Sequence, residues 1–153
     1  MQVRDVMTQP AMTCPVTMNL AAVCRRMKDS GCGTLPVLDH RGRLAGIVTD
    51  RDLALAIGKT DPAQGAVESV MTHRVYSCLA EDDLRQALGE MARHKVRRLP
   101  VLDHDGDVIG MISIDDITLW GVSESGVTMQ ELMAALRSIC ATETAVVARV
   151  TEL

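Results

Sequence analysis

Apolar residues recur at helical spacing in two places: Leu20, Val23, Cys24 and Met27 after the polar Asn19, and Leu84, Ala87, Leu88 and Met91 after Asp82. Each stretch predicts an amphipathic helix with a polar N-cap, and Gly31 supplies a stop signal for the first. A short extended piece precedes each helix, over residues 12–16 and 75–79. Behind each helix comes the apolar run LPVLD, at residues 35–39 and 99–103, with a proline near its start, where a missing N–H is tolerated. The glycine-containing turns H-R-G-R and H-D-G-D follow, then the β-rich runs LAGIVT and VIGMIS, so both places predict a hairpin. DRDLALAIG and DDITLW open on acids and continue at helical spacing, as carboxylates near a helix N-terminus should. The order is β-α-β-β-α, written twice.

Sliding the chain by 64 residues aligns 3–55 with 67–119 without a gap, and 17 of those 53 positions are identical. The matches include VMT at 6–8 and 70–72, Cys14 with Cys78, LPVLDH at 35–40 and 99–104, Gly46 with Gly110, and Asp52 with Asp116. Two copies are too few for a solenoid, but they can bury their open faces against each other about a pseudo-twofold axis. The expected division is a first repeat over 1–60, a second over 61–121 and a C-terminal extension over 122–153. In the extension, Thr128 and Glu131 fit a capping box, with Val127 and Leu132 as its hydrophobic staple, which predicts a helix over about 129–139. AVVARV beyond it suits either a strand or more helix.

Composition narrows the class. The chain has 153 residues, 47% of them hydrophobic and 24% charged, as expected of a folded globular protein. Phe is absent and Tyr76 and Trp120 are the only Tyr and Trp, so the core falls to aliphatic residues and ten adaptable methionines. A net charge of −4 and so few aromatics argue against nucleic acid as a partner. The five cysteines are odd in number and form no C-x-x-C pair, and the chain opens without a signal-peptide pattern. A cytoplasmic, reduced protein is expected. No apolar run approaches the length of a spanning helix.

The VMT ahead of the first strand, the LPV strand and the endings GIVTDRD and GMISIDD, in that order and repeated at a fixed offset, resemble the tandem cystathionine-β-synthase (CBS) domain pair over about residues 1–121. The resemblance implies an α/β (α+β) fold of two repeats. It also implies a stand-alone regulatory module that binds an adenosine-containing ligand (AMP, ADP, ATP, S-adenosylmethionine or NAD) in clefts between the repeats.

Thr49-x-x-Asp52 and Ser113-x-x-Asp116 lie where a strand hands over to a helix. A carboxylate there can accept both ribose hydroxyls, while the strand-end hydroxyl and helix N–H groups hold a phosphate. The same spacing is that of a capping box, and one residue can serve both purposes. The resemblance carries the ribose role to Asp52 and Asp116, and a phosphate role to Arg97 and Arg98 in HKVRRLPV, where His94 and Lys95 stand close by. The competing reading is a solvated helix end. Gly33 and Thr34 replace the two arginines in the first repeat, so unequal clefts are expected. The base is assigned Tyr76, Cys78 and Val96 in one cleft and Met12, Cys14 and Cys32 in the other, with Thr34, Pro100 and Asp115 completing the set. Tyr76 can stack on the base or simply belong to the core.

Cys14 and Cys78, with one of the four histidines, leave a metal or redox site as a third reading, although the spacing fits no zinc finger. No Walker loop, G-x-G-x-x-G or nucleophile–base arrangement is present, so neither catalysis nor a catalytic cofactor is expected. The second reading is a ligand-free interaction module. A homodimer is expected to form through the helices after each T/S-x-x-D (Leu53, Leu55, Ile57, Ile117, Leu119, Trp120), serving an unknown regulated protein partner and no membrane.

Overall fold

The computed structural model describes residues 1–123 and 126–141. AVVARV lies outside the described residues. The chain is a mixed α+β protein, with two three-stranded sheets and five α-helices among the described residues. The first repeat forms β1 (Cys14–Pro15), α1 (Leu20–Ser30), β2 (Thr34–Leu38), β3 (Leu44–Thr49) and α2 (Asp50–Ala56). The second forms β4 (Cys78–Leu79), α3 (Leu84–His94), β5 (Arg98–Leu102), β6 (Val108–Ser113) and α4 (Ile114–Asp116), which passes into a π-helical turn over Ile117–Gly121. α5 (Met129–Cys140) follows.

Each sheet is ordered as its strands occur in the chain. β1 runs parallel to β2, with Cys14 opposite Val37, and β2 pairs antiparallel with β3, with Thr34 opposite Thr49. The run Leu35, Pro36 and Val37 is buried throughout rather than alternating, because both faces of the strand are covered. Gly42 and Gly106 turn the two hairpins at φ 79° and 83°, a region only glycine enters freely.

Two expectations change. The extended pieces over 12–16 and 75–79 shorten to two paired residues each. The N-cap of α3 is Asp83 rather than Asp82: the Asp83 side chain accepts from Arg85 N at 2.8 Å, while Asp82 accepts from Leu79 N at 2.8 Å and closes the turn ahead. Asp83 is the duplicate of Asn19, whose side chain caps α1 through Ala22 N.

The chain divides into two compact units, and the division crosses the repeats. The second-repeat unit comprises Met1–Thr8, Tyr76–Val101 and the described residues from Met111 onward; the first-repeat unit comprises Gln9–Val75 and Leu102–Gly110. Main-chain pairing accounts for the exchange. Thr8 and Met111 trade N–H···O bonds of 2.9 Å in each direction, and the duplicate pair Thr72 and Ile47 does the same at 2.9 and 3.0 Å. Each VMT segment is therefore hydrogen-bonded to the hairpin of the other repeat.

α5 separates the units chemically. Its Leu132, Ala135 and Ile139 are buried in the second-repeat unit, where Leu88 on α3 is 3% exposed. Cys24, the duplicate of Leu88, is exposed, and an apolar groove of about 380 Å³ lies open between α1 and α2, lined by Leu20, Cys24, Met27, Leu53, Ala56 and Ile57. The Thr128–Glu131 capping box forms as the sequence predicts, over Val127 and Leu132, which are 0% and 1% exposed. Hydrogen bonds from the Thr128 backbone and hydroxyl, then the charge of Arg85, hold the Glu131 carboxyl below the usual carboxylate range.

Leu99 is fully buried and Leu119 is 70% exposed. Leu99→Ala should therefore destabilise the protein by about 3 kcal/mol and Leu119→Ala by no more than about 0.5 kcal/mol in denaturant melts; equal losses would contradict the burial described. The Glu131 carboxylate is favoured in the folded state, so its support of α5 is present above the unfolded-state value and lost as pH falls through the depressed folded value. Amide protection factors in α5 should drop over that acid interval, and Glu131→Gln should abolish the dependence.

Candidate functional site

The T/S-x-x-D boxes form at both strand-to-helix junctions. In the second-repeat unit the Ser113 N–H donates to Asp116 Oδ2 at 2.8 Å, the Ser113 hydroxyl donates to the same oxygen, and Asp116 N–H donates back to Ser113 Oγ at 3.1 Å. This cap uses only one carboxylate oxygen. The other, Oδ1, accepts from Thr8 Oγ1 at 3.4 Å. Thr8 reaches it because its backbone is paired with Met111, two residues before Ser113. Capping and ligand recognition are therefore compatible, since Oδ1 and the Thr8 hydroxyl stand outside the box, one accepting and one able to donate.

The first-repeat unit repeats the box. Thr49 N–H and Oγ1 donate to Asp52 Oδ2 at 2.8 and 2.7 Å, and Asp52 N–H donates to Thr49 Oγ1 at 3.3 Å.

The basic stretch is split rather than clustered. Arg97, in the bend ahead of β5, and Arg98, its first residue, hold different partners. Arg98 donates to Asp115 Oδ2 at 3.5 Å, while Arg97 donates to Cys140 Sγ on α5 at 3.8 Å. Lys95 follows Arg97, its Nζ donating to Ala141 O at 2.9 Å. His94 lies 3.1 Å from Glu90 and stacks on Tyr76, with ring centroids 3.5 Å apart and 11° between planes. Tyr76 is thus a half-buried ring with a stacked neighbour rather than part of the core.

The other nominated residues divide clearly. Cys78 and Cys14 are buried, and Cys78 points its thiol at Pro100 O, 4.0 Å away. Burial, reinforced by Asp82, pushes the Cys78 thiol up to about 12. Burial does the same to Cys14, up to about 11, against the opposing charge of Arg26. Neither offers a thiolate near neutral pH. Val96 and Thr34 are half-buried, Pro100 is buried and Met12 is 45% exposed. Cys32 lies 3.1 Å from Ser30 Oγ. Among the described residues no three His, Cys, Asp or Glu side chains gather as a metal site would require.

The two units differ in charge. In the first-repeat unit Gly33 stands in place of Arg97 and Thr34 in place of Arg98, and the Asp50 carboxylate crowds the spot where a side chain at 33 would begin, 2.9 Å from an ideal Cβ. Ile114 is the duplicate of Asp50, so a carboxylate sits where the second-repeat unit is apolar. Arg51 holds the place of Asp115. Arg98 gives the second-repeat unit a cation beside its capping box that the first-repeat unit lacks, and Thr8, Tyr76, His94, Arg98, Ser113 and Asp116 all belong to that one compact unit. Thr8 was not among the residues nominated from sequence; its only signal there is membership in the repeated VMT.

Comparison with known proteins follows the duplication. The chain is 33% identical over 120 residues to the protein YlbB of Bacillus subtilis, covering 77% of this chain and 80% of that one. It is 30% identical to homoserine O-acetyltransferase of Methanosphaera stadtmanae, but spans only 23% of that enzyme. Among solved structures, Hypoxic Response Protein I with two coordinated zinc ions superposes at a TM-score of 0.71, with 25% identity over 78% of this chain and 98% of that one. CBSX2 in complex with AMP superposes at 0.67, with 26% identity over 77% of this chain and 93% of that one. The family description "CBS domain" matches residues 3–59 and 67–122, once in each repeat, and the chain belongs to the CBS domain family.

Proposed function

We propose that this chain is a regulatory module, not an enzyme, that binds an adenosine-containing ligand through Asp116 and its neighbours. The carrying observation is the divided carboxylate of Asp116: Oδ2 completes the cap while Oδ1 accepts only from the Thr8 hydroxyl among the described residues, at 3.4 Å, and keeps acceptor capacity for a ribose hydroxyl. Tyr76 and His94 supply a stacked aromatic wall for a base. Arg98, whose partner among the described residues is the exposed Asp115 carboxylate at 3.5 Å, is available to a phosphate, which accepts more strongly. The AMP complex of the 26%-identical CBSX2 supports the same ligand class. AMP, ADP, ATP, S-adenosylmethionine and NAD are the candidates, with phosphate-bearing ligands favoured by Arg98.

The same reading makes the first-repeat unit the weaker or vacant site and has the ligand act by shifting a conformational population presented to a partner. It includes a homodimer, for which Leu55 and Ile57 beside the α1–α2 groove, 56% and 75% exposed, and Leu119 and Trp120, 70% and 69% exposed, offer apolar surface. Leu53 and Ile117 are buried within the chain and serve its own core. No helix among the described residues is long and apolar enough to cross a membrane. The buried thiols of Cys14 and Cys78 weigh against a redox or thiolate-metal reading.

Titration calorimetry with AMP tests the assignment. Asp116→Ala removes a charge-assisted hydrogen bond of about 1.5–3 kcal/mol, so affinity should fall at least about tenfold in a protein that stays folded, with its melting temperature lowered by the lost cap; Asp52→Ala, which loses the equivalent cap, should change affinity less than about twofold. Equal effects, or no effect of Asp116→Ala, would reject the site. Thiol titration at neutral pH should label exposed Cys24 and Cys140 rapidly and Cys14 and Cys78 only on unfolding. Rapid labelling of the buried pair would revive the redox reading.

A further inference from the structure

The outer faces of α1 and α3 carry inverted charges at duplicate positions. On α3, Glu90 lies 3.3 Å from Arg93 and 3.1 Å from His94, and the Tyr76 ring stacks on His94, so these groups satisfy one another. On α1 the same positions are Arg26, Asp29 and Ser30, with Arg25 in place of Gly89 and Met12 in place of Tyr76. No ring fills the space there: Met12, Ala22, Arg25, Arg26, Asp29 and Ser30 line a cleft of about 390 Å³, large enough for a small molecule. Arg26 is half-buried and pinned, donating to Thr13 O at 2.6 Å. Ser30 Oγ donates to Arg26 O at 2.6 Å and keeps acceptor capacity. The Arg25 guanidinium and the Asp29 carboxylate hold no hydrogen bond or ion pair among the described residues. Asp29 also stands in the last turn of α1, where the helix end is negative and a carboxylate is unfavourable. A cation in the cleft would offset that cost.

We propose that this cleft binds a free α-amino acid with an apolar side chain. The ligand carboxylate pairs with Arg25 and Arg26, its ammonium with the Asp29 carboxylate and Ser30 Oγ, and its side chain lies on Met12 and Ala22. A zwitterion is the class that fits, because the cleft presents unsatisfied charge of both signs. A phosphate or dicarboxylate would set a like charge against Asp29, and a purely cationic ligand would face two guanidiniums. Arg25, Arg26, Asp29 and Ser30 were not among the residues nominated from sequence. The inference stands apart from the nucleotide reading, whose residues belong to the other compact unit.

Titration calorimetry of the full chain with L-leucine tests the proposal, with L-leucinamide, which lacks the carboxylate, and N-acetyl-L-leucine, which lacks the ammonium, as controls. L-leucine should bind, and each control at least about tenfold more weakly. Arg25→Ala should weaken L-leucine about tenfold with the melting temperature nearly unchanged, since the side chain is exposed. Asp29→Ala should weaken it by a similar factor while leaving the melting temperature unchanged or raised, a combination that a structural carboxylate would not give. Installing the ring pair of the second repeat, Met12→Tyr with Ser30→His, should abolish binding in a protein that still melts cooperatively. Amide shifts during the titration should gather at Met12, Ala22, Arg26 and Ser30. Shifts gathered around Asp116 instead, N-acetyl-L-leucine bound as tightly as L-leucine, or no saturable binding of L-leucine would each overturn the proposal and leave the nucleotide reading untouched.

Discussion

The main-chain pairing of Thr8 with Met111, mirrored by Thr72 with Ile47, is the constraint on which the rest of the structure depends. It exchanges the opening segments of the two repeats, so neither compact unit is made from one repeat alone. Pairing fixes backbone position to within a hydrogen bond, and the Thr8 hydroxyl consequently meets Asp116, 108 residues away in sequence. The proposed site would join recognition to the integrity of the unit, because Asp116 and Thr8 come from segments far apart in the duplicated region.

Duplication provides an internal comparison that a single domain lacks. The capping boxes at Thr49 and Ser113 have the same bonds, and the hairpins turn on equivalent glycines. What differs is charge and cover. The second-repeat unit acquires Lys95, Arg97, Arg98 and α5, while the first-repeat unit keeps glycines, a crowding Asp50 and an open apolar groove. Under the proposed function, these differences favour an anion on the second-repeat unit rather than the first.

Features governed by local chemistry were legible in the sequence. The LPV strands, the glycine turns, the caps at Asn19 and Thr128 and the helix over 129–140 follow from spacing and residue type over a few positions. The α3 cap was misread because Asp82 and Asp83 can both cap, although the offset from Asn19 points to Asp83. Arg97 and Arg98 read as one basic pair in the sequence, and in the structure their side chains hold different partners, Cys140 and Asp115, which depend on elements far away in sequence. The role of Thr8 rests on a main-chain pairing across the whole duplicated region, which leaves no periodicity or motif of its own.

The central claim is that an adenosine-containing ligand is held by the second-repeat unit at Asp116. Amide chemical-shift mapping during an AMP titration tests it most directly. The account predicts that shifts gather at Thr8, Tyr76, Arg98, Ser113 and Asp116, with Thr49, Asp52 and Thr72 nearly still. Shifts gathered at the first-repeat set, or none at saturating AMP, would contradict it.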